Sequence, residues 1–376
     1  MAEYLTNTTD LTKVASAIRE KGGTSDSLVY PGGFVTAIQD IQTGTERQII
    51  VTVKSGATVT ATKGSLSVSG TSVNGTCTLI VPEAGTWSVS ATLGGQTSDT
   101  KTVSITDSYS LTLYFVSSTL NNNEWSVIKS VSDAGQGANY WSIGDRKEVT
   151  LNGTVGHLTL SNYTTYAFII GFNHNASVEG TNRIHFQLAK TALSGGKDVC
   201  LCDSSYNSAV STTDYFSMNR SRNNSGGWKS SQMRTNICGT SLSIYSGTII
   251  AVIPAALRAV LKSVTKYTDN TGGGSTVASA VTATTDYFFL LSEYEVFGSI
   301  SYANRNESSK QAQYAYYSAG NSKIKYKHNG TSTAALWWLR SQYAGISSYF
   351  VDVYTDGTVY YSGANLSIGF APGFCV

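Results

Sequence analysis

The chain has 376 residues, of which 13% are charged, and its 26 basic and 24 acidic side chains leave a net charge of only +2. This length predicts two or three domains, each able to bury a core. The balanced charge argues against a nucleic-acid groove or an anionic-membrane patch, because both need concentrated positive charge. No apolar run approaches the ~18 residues that a membrane helix needs, so we expect no membrane insertion.

Residues 1–45 carry two amphipathic patterns. Asp10 can cap a first helix whose apolar side chains recur at helical spacing. Pro31 suits the first turn of a second helix that carries Phe34 and Ile38 on one stripe. Two helices this short cannot bury both stripes between them. We therefore predict a segment that docks on another chain or on copies of itself, with packing on the neighbouring domain as the alternative.

Residues 46–107 predict a small β-sandwich. Short strands rich in Thr and Val recur between turn signals such as Val73-Asn74-Gly75, which is the pattern of an all-β domain. Trp87 is expected in its core. The stretch resembles the immunoglobulin-like or carboxypeptidase-regulatory-like spacer repeats of phage tail and bacterial surface proteins, and this resemblance implies a spacer without a catalytic role.

Residues 108–376 predict one larger unit that is rich in Gly, Ser, Asn and Tyr. Pro254 suits the first turn of a helix that we expect to continue to about Tyr267, because apolar side chains recur on one face at helical spacing. Buried strands are predicted over residues 248–253 and 286–292, since both runs are almost uniformly apolar. Few other helices are expected.

The stretch between residues 343 and 367 differs from the apolar segments on either side of it. Tyr alternates there with Ser, Asn and Asp, which is the composition of a recognition surface, because Tyr supplies contact area at a low cost in rotamer entropy. The pair Asp356-Gly357 predicts a hairpin between strands over residues 349–354 and 358–361. We therefore expect this stretch to bind a ligand.

Two tryptophans and an arginine precede this stretch and are predicted to be framework. Trp337 and Trp338 are adjacent on a predicted strand, so they point to opposite faces and can each anchor one layer of packing. Arg340 is expected to pair with a buried carboxylate, because an unpaired guanidinium beside them would be costly.

Groups that could support catalysis or metal binding are scattered. The cysteines are odd in number, and Cys200-Leu201-Cys202 is one residue too tight for the usual Cys-x-x-Cys spacing, so we expect buried free thiols. Glu293 and Glu295 are predicted to share a strand face in a structural role, and the basic run Lys323–His328 to be a solvated strand face. We predict no catalytic residue, no metal and no cofactor. The histidines show no metal or triad spacing and are expected to be surface or hydrogen-bonded loop residues: His157, His174, His185 and His328.

Four sequence segments of the third predicted unit resemble those of a known family. They are Tyr140–Asp145, Gly227–Arg234, the apolar run that ends at Glu293–Phe297, and the pair formed by Trp337–Ser341 with Gly369–Cys375. In order and spacing they resemble the C-type-lectin-like domain of prophage tail proteins from gut Firmicutes. That domain is related to the formylglycine-generating-enzyme fold and to the target proteins of diversity-generating retroelements. The first 45 residues are also similar to the start of many such tail proteins.

The resemblance implies a binding domain whose variable side chains stand outward from a short central sheet. Retroelement targets scatter Tyr, Ser, Asp, Gly and Asn over a fixed backbone, and the sequence leaves open whether this chain is one or recognises a host without a retroelement. The triplets by which lectins of this fold bind calcium do not occur, and Asp352 and Asp356 are expected to be solvated. The positions that the resemblance assigns to the ligand-binding face are Tyr343, Ser347, Tyr349, Asp352, Tyr354, Asp356, Tyr360, Tyr361, Asn365 and Ser367.

Together these features predict a modular α+β protein with a helical docking segment (1–45), an immunoglobulin-like β-sandwich spacer (46–107) and a C-type-lectin-like ligand-binding domain (108–376). We expect a non-enzymatic virion component at the tail tip or fibre, made in the host cytoplasm, that binds a host cell-surface protein or glycan and attaches to other tail or baseplate proteins through its first 45 residues. By resemblance it would be a homotrimer, and no nucleic-acid partner is expected.

One alternative is an enzyme of the formylglycine-generating kind, which the lack of a second cysteine near Cys375 disfavours. The other is a bacterial surface adhesin, which the lack of a secretion signal at the start disfavours.

Overall fold

In the computed structural model the fold is mixed and mostly β, with several sheets and short helices. The structure describes residues 8–22, 25, 27–40, 46–243 and 246–376. The chain divides into two compact units, one that ends at Phe115 and one that begins at Val116. In the described part of the chain, no helix combines the length and the apolar character that crossing a membrane requires.

The two predicted N-terminal helices are confirmed as α1 (Thr8–Gly22) and α2 (Gly32–Asp40). Their small shared core consists of Ala15, Ile18 and Phe34, with other apolar side chains partly buried against it. The prediction that Asp10 caps the first helix is wrong, because Asp10 lies inside the first turn of α1, where the positive end of the helix dipole favours a carboxylate. The helices bury only part of their apolar stripes, since Ile38 remains 53% exposed.

Two sheets follow in the first unit and share one hydrophobic core. Their strands are β1 (Gln48–Thr52), β2 (Thr58–Lys63), β3 (Leu66–Thr71), β4 (Thr76–Ile80), β5 (Gly85–Leu93), β6 (Gln96–Thr97), β7 (Lys101–Ile105) and β8 (Ser108–Thr112). One sheet has the order β4-β1-β8, and the other has the order β3-β2-β5-β6 with β7 also paired to β5. Trp87 is fully buried, as predicted.

The predicted boundary after residue 107 falls too early. Strand β8 pairs in parallel with β1, with Ser108 opposite Gln48. These backbone hydrogen bonds make residues 108–112 part of the first unit, which ends at Phe115.

The second unit contains eight short α-helices and fifteen strands among its described residues. Its α-helices are α3 (Trp125–Asp133), α4 (Gly137–Tyr140), α5 (Ala176–Glu179), α6 (Gly227–Ser230), α7 (Ile249–Val252), α8 (Ala255–Arg258), α9 (Glu293–Phe297) and α10 (Ala315–Ser318). Short 3-10 turns occur at Leu120–Asn122, Ala278–Ala280 and Arg305–Ser309, and a π-helical turn at Met233–Cys238. Its strands are β9 (Arg146–Val155), β10 (Leu158–Phe172), β11 (Ile184–Lys190), β12 (Val199–Cys200), β13 (Ser208–Ala209), β14 (Val264–Asp269), β15 (Val281–Asp286), β16 (Phe288–Phe289), β17 (Lys325–Lys327), β18 (Gly330–Ala335), β19 (Trp337–Gln342), β20 (Tyr349–Val353), β21 (Val359–Gly363), β22 (Leu366–Ser367) and β23 (Gly373–Cys375).

A five-stranded sheet of order β16-β23-β11-β10-β9 forms the largest layer of this unit. Phe186 of β11 and Phe374 of β23 stack across it with ring centroids 5.3 Å apart. A separate three-stranded sheet of order β19-β20-β21 contains the predicted hairpin. Trp337 and Trp338 in β19 are both fully buried, which confirms that they are framework.

The hairpin prediction is confirmed. Strands β20 and β21 pair antiparallel, with Tyr349 opposite Gly363 and Val353 opposite Val359. In the turn, the Asp356 carboxylate accepts hydrogen bonds from the backbone N–H and the hydroxyl of Thr358, at 2.9 and 2.6 Å. This local hydrogen bonding explains why an Asp-Gly turn could be located from the sequence.

Three secondary-structure predictions are wrong. Residues 249–252 form helix α7 instead of a strand, and the helix that begins at Ala255 ends at Arg258. From Val264 the chain is strand β14, in which Val264, Lys266 and Thr268 are buried and the residues between them are not. The apolar residues at the start of β14 fit the spacing of a helix as well as the two-residue alternation of a strand, so the predicted helix extends too far. The run 286–292 is not one strand: Asp286 ends β15, only Phe288 and Phe289 form β16, and Ser292 is the N-cap of α9.

Candidate functional site: a tyrosine-rich surface

Six tyrosine rings form one continuous aromatic cluster in the second unit. The ring of Tyr361 lies 4.7 to 5.3 Å, centroid to centroid, from four other tyrosine rings. Tyr360, one of these four, lies 5.3 Å from the ring of Tyr354. We call this cluster the tyrosine surface, and it consists of Tyr302, Tyr343, Tyr349, Tyr354, Tyr360 and Tyr361.

The tyrosine surface is partly exposed to solvent. Tyr354 and Tyr360 are 42% and 44% exposed, and the other four tyrosines are half-buried. Each ring is packed against at least one other ring, so its rotamer is restricted before any ligand arrives. Large aromatic side chains that are already ordered lose little entropy on binding.

Arg222 adds a positive charge to the tyrosine surface. Its guanidinium lies 4.8 Å from the ring centroid of Tyr349 and donates a hydrogen bond to the Tyr349 hydroxyl. Arg222 is exposed, so the charge remains accessible while the cation–π contact fixes its direction. A ligand with negative or hydrogen-bond-accepting groups could therefore be bound at this edge.

Asn224 anchors the loop that carries two of these tyrosines. Its side-chain amide donates to the carbonyls of Tyr343, Ile346 and Tyr349 at 3.3, 3.0 and 2.9 Å. Its side-chain oxygen accepts from the backbone N–H of Gly273 at 3.0 Å. Because Asn224 is fully buried, each of these bonds replaces one to water and fixes the loop backbone.

Glu293 anchors the segment of a third tyrosine, Tyr302. Its carboxylate accepts the backbone N–H groups of Ser301, Tyr302 and Ala303, with the Ala303 bond at 2.7 Å. The carbonyl of Tyr302 in turn accepts the N–H of Ala344 at 2.9 Å, beside Tyr343. Burial raises the pKa of Glu293, while the three backbone donors favour its ionised form.

The prediction that Glu293 and Glu295 share a strand face is wrong, because they lie on helix α9. Ser292 and Glu295 form a capping box: the Ser292 hydroxyl accepts from the Glu295 N–H at 3.1 Å, and the Glu295 carboxylate accepts from the Ser292 N–H at 3.0 Å. A serine followed three residues later by glutamate is the sequence signal for this start of a helix.

Five of the ten predicted face positions are the tyrosines of the surface, and three further positions lie around it. Ser347 and Asp356 are exposed, and the Ser347 carbonyl accepts the N–H of Asn224 at 2.8 Å. Asn365 is half-buried and its side-chain amide donates to the carbonyl of Val210 at 3.3 Å.

The prediction that Asp352 and Ser367 point outward is wrong. Ser367 is fully buried and its hydroxyl donates to the carboxylate of Asp203 at 2.8 Å. Asp352 is also fully buried, and neither of its carboxylate oxygens has a hydrogen-bond partner. Desolvation therefore raises the pKa of Asp352 to about 7, against a lowering contribution from the nearby Ser362. Both faces of strand β20 are covered by other parts of the unit. The alternation of side chains along the strand could not predict this, because it shows only which residues share a face.

A buried ion network lies under the framework. Arg340 forms a two-pronged pair with Glu295, with one contact at 2.9 Å, which confirms its predicted carboxylate partner. Lys266 bridges Glu295 at 2.9 Å and Glu179 at 2.7 Å. All four side chains are almost fully buried, and two carboxylates are balanced by two cations.

The prediction that the four histidines are surface or hydrogen-bonded loop residues is wrong for His185, which is buried in strand β11, whereas His174 lies in a turn, as predicted, but is buried. Both are buried beside Glu179, at 3.7 and 3.8 Å. Desolvation, with a smaller contribution from the Lys266 ammonium, lowers the pKa of His174 to about 3, so this imidazole is neutral at pH 7. His174, Glu179 and Glu295 have the spacing of a metal-ligand group, but the Lys266 ammonium already bridges the two carboxylates.

The cysteines are all buried and free, as predicted. The Cys375 thiol lies 3.2 Å from the Nδ1 atom of His185, and both side chains are fully buried. Desolvation raises the pKa of Cys375 to about 12, so the nucleophilic thiolate is disfavoured. Cys375 is therefore one of the buried free thiols that the sequence predicts.

The predicted solvated face at Lys323–His328 is wrong for its central lysine. Lys325 is almost fully buried in β17, where its ammonium lies 5.0 Å from the ring centroid of Trp337. Desolvation lowers the pKa of Lys325 to about 8. The aliphatic stem of lysine makes such burial tolerable.

Three residues of the site were missed from the sequence: Tyr302, Arg222 and Asn224. Tyr302 and Arg222 have no local pattern that sets them apart. Asn224 precedes Ser225-Gly226-Gly227, a loop signal, but the carbonyls to which its side chain donates lie more than a hundred positions away.

Residues 206–376 match the model of a family described as a domain of unknown function, DUF6273. The match contains the whole tyrosine surface together with Arg222 and Asn224. No curated protein matches the chain.

Proposed function

We propose that the chain is a tail-associated adhesion protein of a phage or prophage, which binds a ligand on the host cell surface through the tyrosine surface. The observation that carries this proposal is the continuous contact among six partly exposed tyrosine rings. Tyrosine is strongly represented among residues that dominate binding energy, because it combines apolar area with a polar hydroxyl.

The rigidity of the tyrosine surface supports recognition. Asn224 and Glu293 are buried and hold the loops of Tyr343, Tyr349 and Tyr302 through their backbones. The backbone is thus fixed by residues outside the ligand-facing set. Side chains on the surface could vary without loss of the fold, which agrees with a C-type-lectin-like recognition domain.

The N-terminal helices support attachment to other tail or baseplate proteins, or to copies of the same chain. The exposed apolar side chains of the helices and of the segment before α2 are Val14, Val29, Tyr30, Val35 and Ile38, with exposed fractions between 48% and 73%. Apolar residues clustered on a small helical segment are typical of an interaction surface. The two sheets between Gln48 and Thr112 would serve as an immunoglobulin-like spacer. The homotrimer that the resemblance implies would present several tyrosine surfaces and raise avidity.

Binding of labelled protein to a panel of gut Firmicutes cells tests the proposal. The variant with Tyr349, Tyr354, Tyr360 and Tyr361 all replaced by Ala is expected to lose at least about tenfold in cell binding. A matched variant, Tyr109→Ala, removes a tyrosine that is 43% exposed in the first unit and should bind normally. Undiminished binding by the fourfold variant would contradict the proposal.

A second fourfold variant with Phe at the same positions separates the rings from the hydroxyls. It keeps the aromatic contacts, so its thermal unfolding should match that of the wild type. If binding depends on ring burial, the Phe variant keeps most of it. The fourfold Ala variant could unfold at a much lower temperature than the wild type while the Phe variant does not. In that case the decisive binding measurements are those of the Phe variant and of two single variants of the wild type, Tyr354→Ala and Tyr360→Ala.

A further inference from the structure

A polar cleft lies on the loop that also carries Arg222. The cleft has a volume of about 290 Å³, and every residue that lines it has a polar or charged side chain. Asn219, Arg220, Ser221 and Ser225 come from this loop, and Ser230 and Gln232 from the segment that follows it. Arg222 itself contacts Tyr349. One loop therefore borders both the cleft and the tyrosine surface.

Several hydrogen-bonding groups of this cleft are unused. Within the described part of the chain, the Arg220 guanidinium and the hydroxyls of Ser221, Ser225 and Ser230 make no hydrogen bond or ion pair with another residue. Gln232 is 8% exposed, and its side-chain amide donates to the Ser217 hydroxyl at 2.6 Å. The Gln232 side-chain oxygen has no partner. A nearly buried polar group without a partner is costly unless a ligand or water satisfies it.

The chemistry of the cleft specifies its ligand. A guanidinium and three hydroxyls donate hydrogen bonds, and arginine matches the geometry of carboxylate and phosphate oxygens. No aspartate or glutamate lines the cleft, and the carboxylate of Asp214 accepts a hydrogen bond at 3.2 Å from the hydroxyl of Thr213, which does line it. The Gln232 oxygen is itself closed to solvent, so the exposed hydroxyls of the cleft are the groups that can accept from a sugar hydroxyl, and the aromatic rings across the loop suit the apolar faces of sugar rings.

We infer that the cleft is a subsite for an anionic sugar unit, one that bears a carboxylate or a phosphate, at the surface of the host cell. The inference rests on the proposed adhesion function and names the class of its ligand. The volume is close to the lower bound of small-molecule sites, about 300 Å³, so one sugar unit would fill the cleft and the adjacent units would lie on the tyrosine surface.

Binding of the full chain to immobilised polysaccharides tests the inference. The probes are polygalacturonate, which supplies carboxylates, a glycerol-phosphate polymer substituted with sugars, which supplies phosphates, and neutral dextran. We expect binding to one or both acidic polymers, weakened by added salt because the attraction is between charges, and little binding to dextran. The acidic polymer that binds more tightly identifies the anion.

Arg220→Gln removes the charge from a side chain that makes no hydrogen bond or ion pair with another residue in the described part of the chain. It is expected to reduce binding to the acidic polymer about tenfold or more, the usual size of a lost charged hydrogen bond, and to reduce cell binding in the same direction. Lys310→Gln removes an exposed charge of the same unit and should leave both unchanged. Equal thermal unfolding of the two variants checks that each is folded.

The two proposals fail in different ways. If the fourfold tyrosine variant loses cell binding but Arg220→Gln retains it fully, the acidic-sugar subsite is wrong and the adhesion function stands. Binding to dextran as strong as to both acidic polymers would also overturn the subsite. If the fourfold tyrosine variant keeps full cell binding, the adhesion function itself is wrong, and the subsite inference falls with it.

Discussion

The side-chain amide of Asn224 donates to the backbone carbonyl of Tyr349 at 2.9 Å, across 125 positions of the chain. The same amide also reaches the carbonyls of Tyr343 and Ile346. One buried side chain therefore fixes the entire segment between strands β19 and β20. The position of the tyrosine surface depends on a residue that need never touch the ligand.

Asn224→Ala should destabilise the fold and weaken ligand binding together. The change leaves buried carbonyls and the Gly273 N–H without partners, each costing ~1–3 kcal/mol, so we expect the free energy of unfolding to fall by about 3 kcal/mol or more. Denaturant unfolding measures this loss. Asn223→Ala is the matched control, because Asn223 is exposed and its side chain accepts only the Ser225 N–H. Equal losses for the two variants would contradict the anchoring role of Asn224.

Arg340→Met should be strongly destabilising because it leaves Glu295 without its two-pronged partner. Breaking a buried ion pair from one side typically costs ~3–5 kcal/mol. Lys266 still faces Glu295 at 2.9 Å, so the loss should lie near the lower end of that range. Chemical denaturation gives the free energy of unfolding for this variant and for Arg305→Met, which changes an exposed arginine. A loss no larger than that of the control would show that the pair adds nothing to stability.

The parts of the fold that follow local rules could be predicted from the sequence. The burial of Trp87, Trp337 and Trp338 and the hairpin at Asp356 were predicted correctly. Each depends on side-chain size, strand alternation or the preference of a turn. Arg340 was also predicted correctly, since the cost of an unpaired buried guanidinium holds in any fold.

The rest depends on which faces are covered, and this is a property of the whole chain. Asp352 lies on the same hairpin as the exposed Tyr360, yet it is fully buried because other elements cover its face. Lys325 is buried for the same reason. Tyr302 and Arg222 join the tyrosine surface from segments remote in sequence, and no local pattern predicts that meeting. The five tyrosines between residues 343 and 361 were predicted only because their composition is distinctive.

Glu293→Gln should weaken ligand binding more than it weakens the fold. The glutamine keeps one oxygen, but its amide group faces a backbone N–H that formerly donated to a carboxylate oxygen, so the loop of Tyr302 must shift. We expect a loss of ~1–3 kcal/mol in unfolding free energy and a larger proportional loss of cell binding. Tyr302→Phe is the control, since it keeps the ring and the loop and should bind nearly as wild type. Normal binding by Glu293→Gln would show that Tyr302 is not part of the ligand surface.

The last prediction concerns pH and Asp352. Burial without a hydrogen-bond partner raises its pKa in the folded state to about 7, whereas the unfolded chain has a value near 3.9. Below about pH 4 the carboxyl is protonated in both states and contributes nothing. As the pH rises from about 4 to 7, the unfolded state loses this proton and the folded state keeps it, so the unfolded state binds fewer protons and stability falls.

Asp352→Asn removes this dependence and should stabilise the protein at neutral pH. The expected gain relative to the wild type grows from near zero at pH 4 to on the order of 3–4 kcal/mol at pH 7.5. Denaturant unfolding at several pH values measures the difference, in which the contributions of the other buried acids cancel. Asp356→Asn is the control: Asp356 is exposed and Thr358 lowers its pKa, so its stabilising contribution is already complete above pH 4.5 and its difference curve should be flat. Parallel curves for the wild type and Asp352→Asn would mean that the Asp352 carboxyl is hydrated or hydrogen-bonded in solution, and that the inner face of strand β20 is more open than its burial indicates.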